Sequence, residues 1–162
     1  MEQLFERLNA CLEKELALVG EIHAVVMAQQ AALLESDLAG LEKSLAQLID
    51  LERDLRRIEE ERRLLSGKLA EAQGLAPDAP LGQIAAVCPD PRRSQLETTG
   101  RELRRALEAA KAAGKANRLL IVNAQRFNQC LLRVLSGAGQ TYSENGRVAL
   151  TGNDPKLVNK EV

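Results

Sequence analysis

Apolar residues recur every three or four positions along most of the chain, which is the spacing of an amphipathic α-helix. The first stripe consists of Leu4, Leu8, Cys11, Leu12, Leu16, Val19, Ile22, Val25 and Val26. The pattern restarts after Ser36 and Asp37, whose side chains are favoured helix N-caps, and it continues with leucine as its main residue. The spacing predicts two long helices, over about residues 3–35 and 37–73.

Residues 74–93 interrupt this periodicity. Gly74 is suited to close the second helix. The prolines that follow it lack the backbone donor that a long helix needs, and they are Pro77, Pro80, Pro89 and Pro91. Between them lies a short run of apolar residues spaced for one or two helical turns. We therefore predict a connector that contains one short helix, over about residues 81–88, which could plug the end of a bundle.

A third long helix is predicted over about residues 94–136. Ser94 and Glu97 form a capping-box sequence, in which each side chain satisfies a free backbone N–H. A seam of apolar and small residues then advances in steps of four and three. Its members are Leu96, Gly100, Leu103, Leu107, Ala110, Gly114, Asn117, Ile121, Ala124, Asn128, Leu131 and Leu135. Glycines at 137 and 139 are expected to end the helix, and the two asparagines to fix its register.

Composition agrees with a helical fold. The apolar residues are mostly Leu, Ala, Val and Ile, there is no Trp, and the aromatic residues are Phe5, Phe127 and Tyr142. We predict an all-α fold, an antiparallel three-helix bundle or coiled coil of long helices that occupies residues 1–139. Residues 140–162 are polar and are expected to form a flexible C-terminal tail.

Charge is unevenly distributed, although the whole chain carries a net charge of only −1. The first predicted helix is acidic. Residues 92–133 are basic, with ten arginines and lysines against three glutamates. A basic helix can track phosphates, but the acidic first helix could neutralise it inside the bundle, and aromatic residues for base stacking are scarce. We therefore expect no nucleic-acid partner.

The sequence offers no catalytic or metal-binding pattern. His23 is the only histidine, and no Ser or Cys has the context of an activated nucleophile. Cys11, Cys88 and Cys130 are far apart in apolar helical surroundings, which favours buried reduced thiols in a cytoplasmic protein over disulfides or a zinc site. We also expect no secretion signal and no apolar run long enough for stable membrane insertion. The chain is predicted not to be an enzyme.

The second half of the third predicted helix is apolar on more than one face. Between Ala116 and Leu135 its large apolar residues are Leu119, Leu120, Ile121, Val122, Phe127, Leu131, Leu132, Val134 and Leu135. An apolar surface that covers more than one face of a helix has two explanations. Either the core wraps around the helix, or part of the helix is a docking surface for another helix.

The order of these elements resembles the FlgN family of flagellar export chaperones. The resemblance rests on Ala32-Leu33-Leu34 with Asp37, on Leu41-Glu42, on Gly74-Leu75 before the prolines, and on residues 117–123 of the third helix. A last similarity is the run Tyr142-Ser143-Glu144-Asn145-Gly146-Arg147, an aromatic residue followed by a short polar turn. The match covers about residues 1–150.

The resemblance implies a cytoplasmic chaperone of the flagellar type III export pathway. It would bind the terminal helix of hook-filament junction proteins such as FlgK and FlgL, without nucleotide or metal. The implied client-binding residues are Asn117, Leu120, Ile121, Asn123, Ala124, Phe127, Leu131 and Leu135. The implied contacts to the export gate are Tyr142, Gly146 and Arg147. A self-associating coiled-coil scaffold and a basic nucleic-acid-binding bundle are the alternative functions.

Overall fold

The computed structural model describes residues 2–135. Its helices are α1 (Glu2–Glu35), α2 (Leu38–Ala72), α3 (Leu81–Val87) and α4 (Arg92–Leu135). Residues 2–135 contain no strand, and α1, α2 and α4 are the long helices of the expected bundle, so the predicted all-α fold is confirmed. Residues 1–118 form one compact unit, and a second unit begins at Leu119. The predicted tail, residues 140–162, lies outside the described residues.

The turn between α1 and α2 is built by the residues that the sequence marked. Asp37 is the N-cap of α2, and its Oδ1 accepts a hydrogen bond from the backbone N–H of Gly40 at 3.0 Å. Ser36 has a φ of 59°, in the left-handed region, and so reverses the chain. A Cβ on Gly40 would clash with Asp37 Oδ2, so a larger residue there would displace the capping carboxylate.

The end of α2 is a Schellman motif centred on Gly74. This glycine has a φ of +74°, and its N–H donates to Glu71 O at 3.0 Å, while the N–H of Leu75 donates to Ala70 O at 2.9 Å. The predicted helix end is thus confirmed, and the free carbonyls of the last turn are satisfied.

The start of α4 differs from the prediction. The helix begins at Arg92, ahead of the expected capping box, and the N–H of Gln95 donates to Pro91 O at 3.1 Å. Ser94 is therefore inside the first turn, and its hydroxyl donates to Asp90 Oδ1 at 2.9 Å. The capping-box prediction was wrong because the helix already begins at Arg92, so Ser94 is a helical residue and not the N-cap.

The core lies where α1, α2, α3 and the first part of α4 meet. Its large, fully buried side chains are Leu8, Leu12, Val19, Leu69, Ile84 and Leu96. An ion pair joins Arg92 to Glu2 near the start of α4 and α1, and Asn117 contacts Val26 farther along both. Because these contacts advance together along the two helices, α4 runs parallel to α1.

The cysteines only partly follow the prediction. Cys11 and Cys88 are buried, but Cys130 is exposed, which corrects the expectation that all were buried. Cys11 Sγ lies 3.5 Å from Ile58 O, and burial, followed by the nearby carboxylates of Glu61 and Glu15, raises the pKa of the Cys11 thiol. Both effects favour the protonated thiol, as expected for a cysteine buried in the core.

By length and composition, α1 could cross a membrane, since one stretch has a mean hydropathy of 1.4. This finding, from a search of residues 2–135, corrects the expectation that no stretch is apolar enough. A single such helix is weak evidence, because the core helix of a bundle passes the same test. Here α1 supplies much of the buried core, and it carries Glu15, which is paired with a residue of α2.

Glu15 is a buried carboxylate inside the bundle, with only 3 % of its side chain exposed. Its Oε2 lies 2.7 Å from Arg62 Nε on α2. Burial raises the pKa of the Glu15 carboxyl above its usual value, and the attraction of Arg62 only partly offsets this effect. The folded protein is therefore more stable when Glu15 is protonated than when Glu15 is ionised.

We expect Glu15→Gln to change the pH dependence of stability. A carboxyl whose pKa is raised by folding contributes stability that is fully present below its unfolded pKa and is lost as pH rises through the folded pKa. The free energy of unfolding of the wild type should therefore fall relative to that of Glu15→Gln as pH rises above the usual carboxyl pKa of about 4.3. Urea unfolding at several pH values measures this. An equal trend in Glu52→Gln, at an exposed carboxylate, would contradict a role for burial.

Candidate functional site

Residues 119–135 of α4 expose most of their large apolar side chains. Exposed fractions range from 38 % at Ile121 to 80 % at Leu135, and no residue of this segment is buried. The exposed large apolar residues are Leu119, Ile121, Phe127, Leu131, Leu132, Val134 and Leu135. This exposure favours the second explanation for the width of the apolar surface, a docking surface for another helix. We call residues 119–135 the apolar segment.

The apolar segment is amphipathic. At 3.6 residues per turn, Leu120, Ala124, Phe127, Leu131 and Leu135 share one face of the helix. The opposite side carries Gln125, Arg126, Gln129 and Arg133. Seven of the eight residues that the resemblance assigned to client binding belong to this segment; Leu120 is half-buried, while Ile121, Asn123, Ala124, Phe127, Leu131 and Leu135 are exposed.

Asn117, the eighth of these residues, is in a different environment. It is 3 % exposed, and its Nδ2 donates to Val26 O at 2.8 Å and to Gln29 Oε1 at 3.1 Å, both on α1. The side chain is therefore engaged inside the bundle and is not presented to a partner. This contact supports the expectation that a polar residue in the seam fixes the register of the helix.

The predicted seam divides at this asparagine. Leu96, Leu103 and Asn117 are buried, whereas Asn128 and the other seam positions after residue 120 are exposed. At the seam position Gly100 an added Cβ would lie 3.2 Å from Leu81 Cδ2. At Gly114 an added Cβ would meet nothing within 4 Å. Periodicity thus predicted which residues form the seam, but it did not predict the point along α4 after which they are exposed.

Charge on α4 is less neutralised than expected. Arg92 pairs with Glu2 of α1, but the other ion pairs between helices in residues 2–135 join α1 to α2, namely Arg7 with Glu61 and Arg62 with Glu15. Most basic side chains of α4 are exposed. The acidic first helix therefore neutralises mainly α2, and the outer side of α4 stays basic.

The remaining candidates from the sequence carry little chemistry. His23 is half-buried on α1, and residues 2–135 contain no group of three or more His, Cys, Asp or Glu side chains placed to hold a metal ion. Tyr142, Gly146 and Arg147, the expected gate contacts, lie outside the described residues. The client-binding residues implied by the resemblance do not include Leu119, Leu132 and Val134, which are also exposed on the apolar segment.

The comparisons with known proteins give one result. A family model described as FlgN protein matches residues 1–149. No curated protein and no solved structure matches the chain. The match includes all four helices and the apolar segment, and it agrees with the resemblance seen in the sequence. The chain therefore belongs to the FlgN family of flagellar export chaperones.

Proposed function

We propose that this protein binds the terminal helical segment of hook-filament junction proteins like FlgK and FlgL in the cytoplasm and delivers them to the export gate. The observation that supports this most is the exposed apolar segment, residues 119–135. Family membership gives the general function of an export chaperone, and the exposed apolar surface supports the proposal that a helical segment is the client.

An amphipathic client helix fits this surface. Side chains that recur every three or four residues on the apolar segment form a ridge against which another helix can lay its own apolar face. Fully burying one Leu, Ile or Phe side chain stabilises a complex by about 1.5–3 kcal/mol before the cost of ordering the client is subtracted. A few such contacts are sufficient for a specific complex. The same contacts would cover the aggregation-prone face of the client until export.

The proposal is tested by titrating the labelled terminal peptide of a junction protein with this chaperone and measuring fluorescence anisotropy. A peptide of the same composition in scrambled order is the control. We expect saturable binding of the native peptide alone. Size-exclusion chromatography of the free chaperone addresses the alternatives: a large assembly without client would favour a self-associating scaffold, and a shift with oligonucleotide at low salt would favour a nucleic-acid binder.

Tyr142 is proposed to contact the export gate, with Gly146 placing a turn and Arg147 adding a charged donor. Aromatic side chains are frequent anchors in protein interfaces, since one ring buries a large area. We expect Tyr142→Ala to weaken binding of the purified cytoplasmic domain of the gate about tenfold while client affinity changes less than about twofold. Titrating that domain against chaperone–client complexes measures both. Equal gate affinity in Tyr142→Phe and Tyr142→Ala, matching the wild type, would show that the ring is no anchor.

A further inference from the structure

A second apolar surface lies between α3 and the beginning of α4. It is a groove of about 300 Å³, which we call the α3–α4 groove. Its apolar lining includes Leu81 and Ala85 of α3 and Leu96 of α4, and the last two are almost completely buried. The groove lies within residues 1–118 and includes no residue of the apolar segment.

Two glycines give the groove its shape. Gly100 of α4 lets Leu81 approach closely, because an added Cβ would lie 3.2 Å from Leu81 Cδ2. Gly82 of α3 also lines the groove, yet a Cβ built there meets nothing within 4 Å. The short helix thus contacts α4 at Gly100 and leaves open space beside Gly82. That space can receive a side chain from a partner.

Charged residues line the groove on α4. Glu97, Arg101 and Arg104 follow one another at helical spacing and so share one face. The Arg101 guanidinium donates to Glu97 O at 3.3 Å and to Thr98 Oγ1 at 3.4 Å. Among residues 2–135, no ion pair involves Arg101 or Arg104. The surface is therefore apolar at its floor and mainly basic along α4.

We propose that the α3–α4 groove binds an amphipathic helix of another protein whose apolar side chains are flanked by carboxylates. Carboxylates near Arg101 and Arg104 would form charge-assisted hydrogen bonds, while leucine-sized side chains fill the space beside Gly82. Apolar lining favours a protein helix over nucleic acid, since the groove offers no aromatic side chain for base stacking. This binding is independent of the client site on the apolar segment.

The probe is a labelled synthetic helix of about 18 residues, with leucines at three- and four-residue spacing and glutamates beside them. A second peptide carries lysine in place of every glutamate, and a duplex oligonucleotide is the third probe. Fluorescence anisotropy with the full-length chaperone measures affinity. We expect saturable binding of the acidic peptide that weakens as salt is raised, and at least tenfold weaker binding of the basic peptide.

Matched variants locate the binding. Gly82→Leu fills the open space and, because leucine favours helix over glycine, leaves α3 intact, whereas Arg104→Glu reverses one charge in the groove. Each of these two variants should bind the acidic peptide about tenfold more weakly than the wild type does. The controls are Gly20→Leu, where an added Cβ also meets nothing within 4 Å, and the exposed neighbour Arg105→Glu.

The controls should change affinity by less than about threefold. Absence of saturable binding, or binding that Gly82→Leu leaves unchanged, as expected for docking on the apolar segment, would overturn the proposal. The proposal would also be overturned if the oligonucleotide bound at least as tightly as the acidic peptide and Arg104→Glu abolished that binding. Such a result would identify a phosphate-binding surface.

Discussion

Leu131→Asp should weaken binding of the client's terminal helix about a hundredfold, which corresponds to about 2.7 kcal/mol. Leu131 lies on the apolar face of α4 and is 42 % exposed in the free protein, so the aspartate costs little until a partner covers it. In the complex, the carboxylate would be buried against apolar side chains without a matching donor. Anisotropy titration of the labelled client peptide measures the loss.

The control for this change is Leu64→Asp, because Leu64 of α2 is 59 % exposed and lies outside the apolar segment. We expect Leu64→Asp to leave client affinity within about twofold of the wild type. Circular dichroism first establishes that both variants retain their helices. Ile121→Asp, on the same segment, should reproduce the loss. If folded Leu131→Asp and Ile121→Asp bind the peptide as the wild type does, the apolar segment is not the client site.

Leu12→Ala should lower the free energy of unfolding by about 3 kcal/mol, within the range observed for fully buried leucines. Leu12 is 0 % exposed in the core of the bundle, so the substitution removes buried apolar atoms and leaves a cavity. For a domain of this size the melting temperature should fall by about 6–12 °C. Urea and thermal unfolding followed by circular dichroism measure both quantities.

Leu132→Ala is the matched control, because it makes the same change at a side chain that is 65 % exposed on α4. We expect it to alter the free energy of unfolding by less than about 0.5 kcal/mol. The contrast separates loss of buried area from any difference in helix propensity, since leucine and alanine are both good helix formers. A similar loss in the two variants would mean that residues 119–135 are covered in the free protein.

Local signals explain which helix ends the sequence could predict. Asp37 and Gly74 act within a few residues of themselves, through a side-chain cap and a positive φ, and so both ends were correctly predicted. The start of α4 was not, because the helix begins earlier, at Arg92, and includes Ser94 in its first turn. A capping motif in the sequence does not exclude such an earlier start.

Burial along α4 was less predictable for a physical reason. Periodicity shows which residues share a helix face, but it does not show what that face contacts. Cys130 sits in an apolar context and is nevertheless exposed, while the polar Asn117 is buried because α1 presents Val26 O and Gln29 Oε1 to it. The burial of Asn117 was thus decided by groups about ninety residues away in the sequence.

The uncovered apolar segment also has a consequence for the energetics of helix formation. A helical segment without tertiary contacts is only marginally stable in water, because each residue that extends a helix adds little free energy. The free energy of local opening should therefore be lower in residues 119–135, where no side chain is buried, than in the part of α4 before residue 118. A client that binds only the helical form stabilises that form by mass action. If the apolar segment is the client site, recognition and helix ordering in α4 are linked equilibria, and part of the intrinsic affinity for the client offsets the free energy of ordering that site.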